Sequence, residues 1–510
     1  MLPYLNAASE HSKKYVVAFQ GLNYGQGYAD GEFSECENLS AAEYPCISQR
    51  AARTAEGSFQ APSSLHAKDG LVVIDGNSVI YNGETVGLVT AGRKEMATIG
   101  NYVVIFPDKV YLNTKTKDFG SMEATYTGTG LKFTDSTITT TGDAWPFKVG
   151  DAVQIRGCST TENNRELTDS MIVRGVSGNT LTFQENAFTA TTEAGSVTVS
   201  RDVPDLEHIC ESNYRLWGVV GNTIFGSKYS DPFNFYYYDT GTADAAYWIE
   251  VATDGEFTGC TPYSSHVCFF KEHYLHKLYG SKPSNFQLVH SQVYGVQAGS
   301  ERSLQMINET LYYKGVNGVY AYTGGVPELI SEKFGTRRFA EACSASDGGG
   351  KYYISMRSGN EWGVWVYDVL RGLWLREDGL HCVDMAFHDG HVWLLAEDGT
   401  LYKVDEAADR SGVEWSVTLA PFNETVNERK GYSKFHLRLE MEAGSQLEID
   451  MKRNLDKTWT KIYSTTNDAA RTLTVPVIPA RCDSVEIRLR GKGECRVRTF
   501  VREFFEGSDV

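Results

Sequence analysis

The chain has 510 residues, 41% hydrophobic and 22% charged, with a formal net charge of −17. That length holds two or three domains with a sizeable core, and the balance is that of ordinary globular protein. No run of eighteen apolar residues occurs, which excludes a transmembrane helix, and the acidic balance without a long basic run argues against a duplex-binding face.

Glycine (49) and tyrosine (29) are abundant and aromatics make up 12%, which favours many short strands joined by turns. The start, MLPYLNAASEHSKKY, has no apolar h-region, so a secretory signal is not expected. Residues 1–61 read as an extended N-terminal arm. Gly21, Gly25, Gly27 and Gly31 fall among aromatics there, and Pro45 stops any regular element before Cys46. Ten cysteines are scattered from Cys36 to Cys495 with no CxxC, a pattern of free, buried thiols in a reducing compartment.

From about Leu65 a strand-and-turn unit repeats. Val72-Val73-Ile74 pairs with Val79-Ile80-Tyr81 across Asp75-Gly76-Asn77, and Tyr102 to Phe106 pairs with Val110 to Leu112 across Pro107-Asp108. The fullest unit is NYRLWGVVGNTIFGSKYSDPFNFYYYD, Asn213 to Asp239. Tyr214 to Val220 turns at Gly221-Asn222 into Thr223 to Phe225, and Phe235 to Tyr238 is expected as a third strand. Further units follow around Val267–Tyr279, Leu304–Tyr322, Tyr352–Leu375 and Val383–Val404.

Units recurring every ~30–50 residues, each with three or four antiparallel strands, predict an all-β β-propeller over 62–408. About seven blades are expected. Six or eight also fit, because the first and last units can share a blade, and a long β-sandwich array is the alternative architecture. Residues 121–200 interrupt the repeat and are Thr-rich. Phe147 to Ile155 and the hairpin Ile172–Val176/Thr180–Phe183 predict an inserted small β-barrel, SH3-like or OB-like. Residues 411–510 predict a separate C-terminal β-sandwich, because Leu437/Leu439/Met441, Leu447/Ile449/Met451 and Val485/Ile487/Leu489 alternate strictly with charged residues. Turns are expected at 454–457 and 491–493. The basic stretch Arg481 to Arg502 reads as the solvated face of strands.

No constellation carries chemistry. His381, His388 and His391 with Asp384 and Asp389 are the best metal candidates, but a zinc site needs three converging ligands and this spacing forces none. His273 and His276 alternate to opposite faces of a strand. Ser346-Asp347-Gly348-Gly349 is a fragment of the repeated Asp box expected of a sialidase-like propeller, and a turn explains it. Tyr236-Tyr237-Tyr238 reads as packing between blades, with stacking on a sugar or partner as the other use. No Gly-x-Ser-x-Gly, P-loop or HExxH is present. The expected catalytic, cofactor-binding and metal residues are therefore none, and the chain is expected not to be an enzyme.

Several stretches resemble tail proteins of tailed bacteriophages and prophages. They are Arg215-Leu216-Trp217-Gly218, Asn222-Thr223-Ile224, Ser227-Lys228, Asp231-Pro232-Phe233-Asn234, Phe269-Phe270-Lys271-Glu272, Gly280 to Phe286, and Tyr367-Asp368 with Gly372-Leu373-Trp374. The order of arm, interrupted propeller and C-terminal β-domain is similar to the tail hub or nozzle proteins of short-tailed phages. The likeness is sharp over about 205–380. It implies a virion protein, assembled in the host bacterial cytoplasm. It also implies a self-assembled ring, usually sixfold, that encloses the DNA exit channel and joins portal and adaptor proteins to tail fibres or other distal parts. Genomic DNA would pass without specific binding along an acidic or neutral lumen. The rival reading is a carbohydrate-binding or glycan-degrading propeller, an adhesin or depolymerase.

Overall fold

The computed structural model describes residues 11–239, 241–424, 429–454, 456–466, 471–478 and 480–506. Residues 1–10 of the expected arm, Leu455 of the expected 454–457 turn and residues 507–510 of the expected sandwich lie outside them. The described chain is β-structure with a few short 3-10 turns. It divides into two compact units, one of residues 1–58, 305–312 and 317–510, the other of residues 59–304 and 313–316.

The fold is an all-β β-propeller, with seven four-stranded antiparallel sheets following one another among the described residues. Blade 1 is Pro62–Ala67, Leu71–Asp75, Ser78–Tyr81 and Glu84–Leu88. Blade 2 is Glu95–Ile99, Tyr102–Phe106, Val110–Asn113 and Phe119–Ser121. Blade 3 runs from Ile209–Ser212 to Tyr247–Glu250 and blade 4 from Phe257–Tyr263 to Gln287–Gln292. Blade 5 runs from Gln305–Ile307 to Glu328–Leu329 and blade 6 from Ala340–Ser346 to Leu373–Arg376. Blade 7 has three strands of its own, Cys382–His388, His391–Ala396 and Thr400–Val404, and takes its fourth, Arg53–Ser58, from the N-terminal segment. Its last strand therefore comes from sequence before blade 1 and completes the blade with ladder hydrogen bonds to Thr400–Val404.

The expected hairpins form in register. Ile74 faces Val79, and Val220 faces Thr223 across Gly221, whose φ of 53° the turn requires. Each blade buries apolar residues from both faces of its middle strands, such as Val103 to Phe106 in blade 2. One expected strand is corrected. Phe235 to Tyr238 is irregular, and the fourth strand of blade 3 is Tyr247–Glu250. The aromatic run has no ladder partner because its backbone bonds elsewhere. Tyr237 O accepts from Ala246 N at 2.7 Å and Tyr236 O accepts from the Ser170 hydroxyl. Phe235, Tyr236 and Tyr237 are buried and Tyr238 is half-buried, packed against blades 2 and 3 and against Ala152, Ala245 and Ala246.

The insertion sits between blades 2 and 3 in sequence. Residues 124–201 form one seven-stranded sheet. Its two edge strands, Met171–Ile172 and Gly175–Ser177, are consecutive in the chain, so the sheet curls about a single core that includes Leu131, Phe133, Val153, Ile155 and Val199. Ala124 pairs with Arg201, so the insertion leaves and re-enters the propeller at one point. Arg201 anchors it. Its guanidinium meets the fully buried Asp151 at 2.9 Å, and Asp151 also accepts from Asn234 Nδ2 of blade 3 at 3.2 Å.

The N-terminal segment corrects the expectation of an arm that is not a folded unit. His11–Val16, Leu39–Ser40 and Ile47–Gln49 enter one sheet of the C-terminal sandwich, while Gly21–Leu22 and Glu32–Glu37 enter the other. Phe19, Leu22 and Phe33 share a core with Trp415, Leu489 and Trp374. Gly21 is required there: φ is +79°, and a Cβ would lie 2.6 Å from Trp374 O. The sandwich is thus built from both ends of the chain and is not a separate C-terminal domain. Arg502, 1% exposed at the side chain, locks it by bonding Glu424 at 2.7 Å and Asp30 at 2.9 Å.

Candidate functional site

The histidines weighed as metal ligands do not converge. His388 and His391 face one another across a hairpin, where His391 Nδ1 lies 3.3 Å from Val404 O and His388 O accepts from Trp393 Nε1. Asp384 is buried and caps its own backbone at Met385 N. Among the described residues no group of three His, Cys, Asp or Glu side chains is placed to hold a metal ion. His273 lies exposed in a turn, whereas His276 is buried beside Thr253 Oγ1 at 2.9 Å, and burial pushes its imidazole down to about 4. Asp347 Oδ1 accepts the amides of Gly349, Gly350 and Lys351 at 2.8–2.9 Å, a turn cap and not a catalytic box. The ten cysteines are unpaired and nine are buried; burial raises the thiols of Cys36 and Cys382 to about 12, where they are poor nucleophiles.

Two other groupings emerge. In blades 1–4 the first strands of successive blades lie side by side, which makes them the inner strands. The turn before blade 5, Glu301–Ser303, reaches across them. Arg302 donates to Ser63 O at 3.1 Å, Lys94 O at 2.7 Å and Ser64 Oγ at 2.9 Å, and Arg93 pairs with Glu301 at 2.5 Å. Lys94 in turn meets the Asp108 carboxylate at 2.6 Å. Glu95 stands among these groups, and its carboxyl titrates above the usual range because burial outweighs the pull of Arg302. The cluster fills the inner edge of blades 1 and 2 with fixed charge. Its groups are spent on one another, which suits a tie between blades better than proton transfer.

The second grouping is a cleft of about 460 Å³ in the other unit, built where Glu32–Glu37 of the sandwich runs past blade 6. Trp362 lines it. One indole face is covered by His381, stacked at 3.6 Å and 11°, and His381 is held by Glu397 at 2.7 Å. Arg337 lies flat on Tyr24, its guanidinium carbon 3.4 Å from the ring centroid. Burial pushes the Tyr24 phenol up to about 12, so it stays neutral beneath the cation. Arg376 is already paired with Glu37 at 3.0 Å. Glu35, Glu361 and Arg337 are exposed and make no ion pair among the described residues. Sequence reading missed this cleft because its walls come from residues 24–37, 337 and 361–376. The one available signal was His381, already singled out, whose partner is an indole and not a metal.

No family model and no curated protein matches the chain. Similar solved structures include an exo-β-1,3-galactanase from Phanerochaete chrysosporium with galactose, at 9% identity over 58% of this chain and 95% of that one, TM-score 0.24. Hsv2 of Kluyveromyces lactis matches at 11% over 70% and 91%, TM-score 0.30, and BBS1N in complex with ARL6DN at 11% over 55% and 99%, TM-score 0.24. Likeness at this level carries no activity, substrate or partner over to this chain.

Proposed function

We propose that the chain is a structural protein of a bacteriophage tail. Copies of it form a ring, sixfold by the resemblance, that encloses the DNA exit channel and connects portal and adaptor proteins to distal tail parts. The observation that carries this reading is the clasp at the chain ends. Residues 11–58 supply strands to both sheets of the sandwich and then the outer strand of blade 7. Arg53 fastens that strand to Glu377 at 2.5 Å and to Asp378 at 2.8 Å. Neither terminal region can be pulled away without breaking β-ladders, which suits a part that bears load while DNA leaves. The −17 charge suits a lumen that repels DNA.

The test is assembly. Purified protein, examined by mass photometry and negative-stain imaging across concentration and salt, should form closed rings. It should not retard duplex DNA at low salt. A protein that stays monomeric throughout, or that binds duplex tightly with a steep salt dependence, overturns the reading.

A further inference from the structure

We propose that the Trp362 cleft is a binding site for a neutral saccharide. A pyranose has a C–H face that packs on an aromatic plane, and a rim of hydroxyls that donate to carboxylates and accept from guanidinium. The cleft offers these three elements together. Its aromatic group is Trp362, which lines the cleft, is half-buried and is stacked on His381, itself fixed by Glu397. Its acceptors are Glu35 and Glu361, and its donor is Arg337, held flat on Tyr24. Charge-assisted hydrogen bonds to hydroxyls from such groups are the stronger kind.

The supporting groups are tied from behind. Trp365 Nε1 lies 3.4 Å from the Tyr24 hydroxyl, and Arg376 is engaged by Glu37. A site already ordered loses little freedom when ligand enters. The volume, about 460 Å³, lies within the range of small-ligand sites, about 300–1,000 Å³, and accommodates a short oligosaccharide.

Charge selects among sugars. Glu35, Glu37 and Glu361 against Arg337 and Arg376 leave the lining one unit negative, on a chain whose net charge is −17. An acidic polysaccharide is repelled, so the ligand class is neutral hexopyranose or N-acetylhexosamine. The cleft holds no arrangement that asks for bond cleavage, and the proposal is binding alone. It stands independently of ring assembly, since a monomer that binds sugar fails only the ring reading and a ring that binds none fails only this one.

The experiment is saturation-transfer NMR on the full chain with neutral trisaccharides of glucose, galactose and N-acetylglucosamine, and with a glucuronate-containing trisaccharide as the acidic probe. At least one neutral probe should receive saturation on its ring protons. Trp362→Ala should weaken binding about tenfold or more, the loss of one hot-spot contact. Arg337→Ala, a change at an exposed side chain, and Glu361→Gln should each weaken it about threefold to tenfold with an unchanged melting temperature. No transfer to any neutral probe overturns the proposal. So does binding that survives both Trp362→Ala and Arg337→Ala, or a preference for the acidic probe. If Trp362→Ala fails to fold, Arg337→Ala and Glu361→Gln decide the matter.

Discussion

The insertion and the terminal sandwich are both β-domains appended to the propeller, and they are built in opposite ways. The insertion is contiguous: residues 124–201 make one curled sheet whose ends pair at Ala124 and Arg201. The sandwich joins residues 11–49 to residues 414–506, with ladders such as His11 to Phe505 and Phe33 to Leu419. A contiguous domain can fold and fail alone. A domain that joins residues 11–49 to residues 414–506 forms only once both segments are present, and its failure takes the closing strand of blade 7 with it.

The sharpest way to break this contrast is deletion. Joining residue 123 to residue 202 by a short Gly-Ser linker should leave a soluble protein with one cooperative melt, because the excised ends already lie one ladder spacing apart. Removing residues 1–49 should abolish cooperative unfolding, since both sandwich sheets lose strands and Phe19, Leu22 and Phe33 leave the core. Differential scanning calorimetry of the two variants reads this directly, and a cooperative melt after removal of 1–49 would refute the clasp.

Next in size are the buried arginines. Arg502→Leu takes the guanidinium away from the buried Glu424 carboxylate, which Lys14 and the Tyr432 hydroxyl also meet, and should cost about 3–5 kcal/mol of global stability. Arg201→Leu should cost less, about 2–3 kcal/mol, because Asp151 keeps the Asn234 amide and Lys148 N–H. Urea unfolding followed by tryptophan fluorescence should show the first change in every probe and the second chiefly in the insertion.

The insertion also carries a pH signature. Glu193 accepts from the Ser159 hydroxyl and from the amides of Ser159 and Thr160, which hold its carboxylate down to about 2 from an ordinary 4.5. That stabilisation is present above pH 4.5 and is lost as pH falls toward 2. Glu193→Gln should therefore cost about 2 kcal/mol at pH 7, with wild type and variant converging near pH 2. Parallel pH curves for the two proteins would refute this role for Glu193.

The smallest effects come from a matched pair of glycines. In each, an added Cβ would lie 2.6 Å from a backbone oxygen, Trp374 O for Gly21 and Ser196 O for Gly157, and both have positive φ. Each substitution by alanine should cost about 1–2 kcal/mol. Hydrogen exchange should locate the loss in sandwich and blade 6 for Gly21→Ala, and only in the insertion for Gly157→Ala.

Local pattern determined much of this. Strand alternation and Asp-Gly, Gly-Asn and Asn-Gly turns encode the blades, because a hairpin needs only neighbouring residues and a turn that admits positive φ. The same alternation marks strands within residues 124–201 and 430–492. Phe235 to Tyr238 misled because aromatic content marks burial, and burial alone does not supply a ladder partner.

What the sequence could not carry was partnership at a distance. The N-terminal strands are short, two to six residues, and Gly21–Leu22 has no period to read. The partners of His11–Val16, Glu32–Glu37 and Ile47–Gln49 lie within residues 414–506, so only the folded chain shows that they complete two sheets. The cleft follows the same rule. Tyr24, Arg337 and Trp362 carry no motif, and their meeting is decided by where Glu32–Glu37 docks beside blade 6. The sequence by itself determined the strands and turns, because those are settled within a few residues. Tertiary structure decided the clasp and the cleft, because each depends on side chains that no local energy brings together.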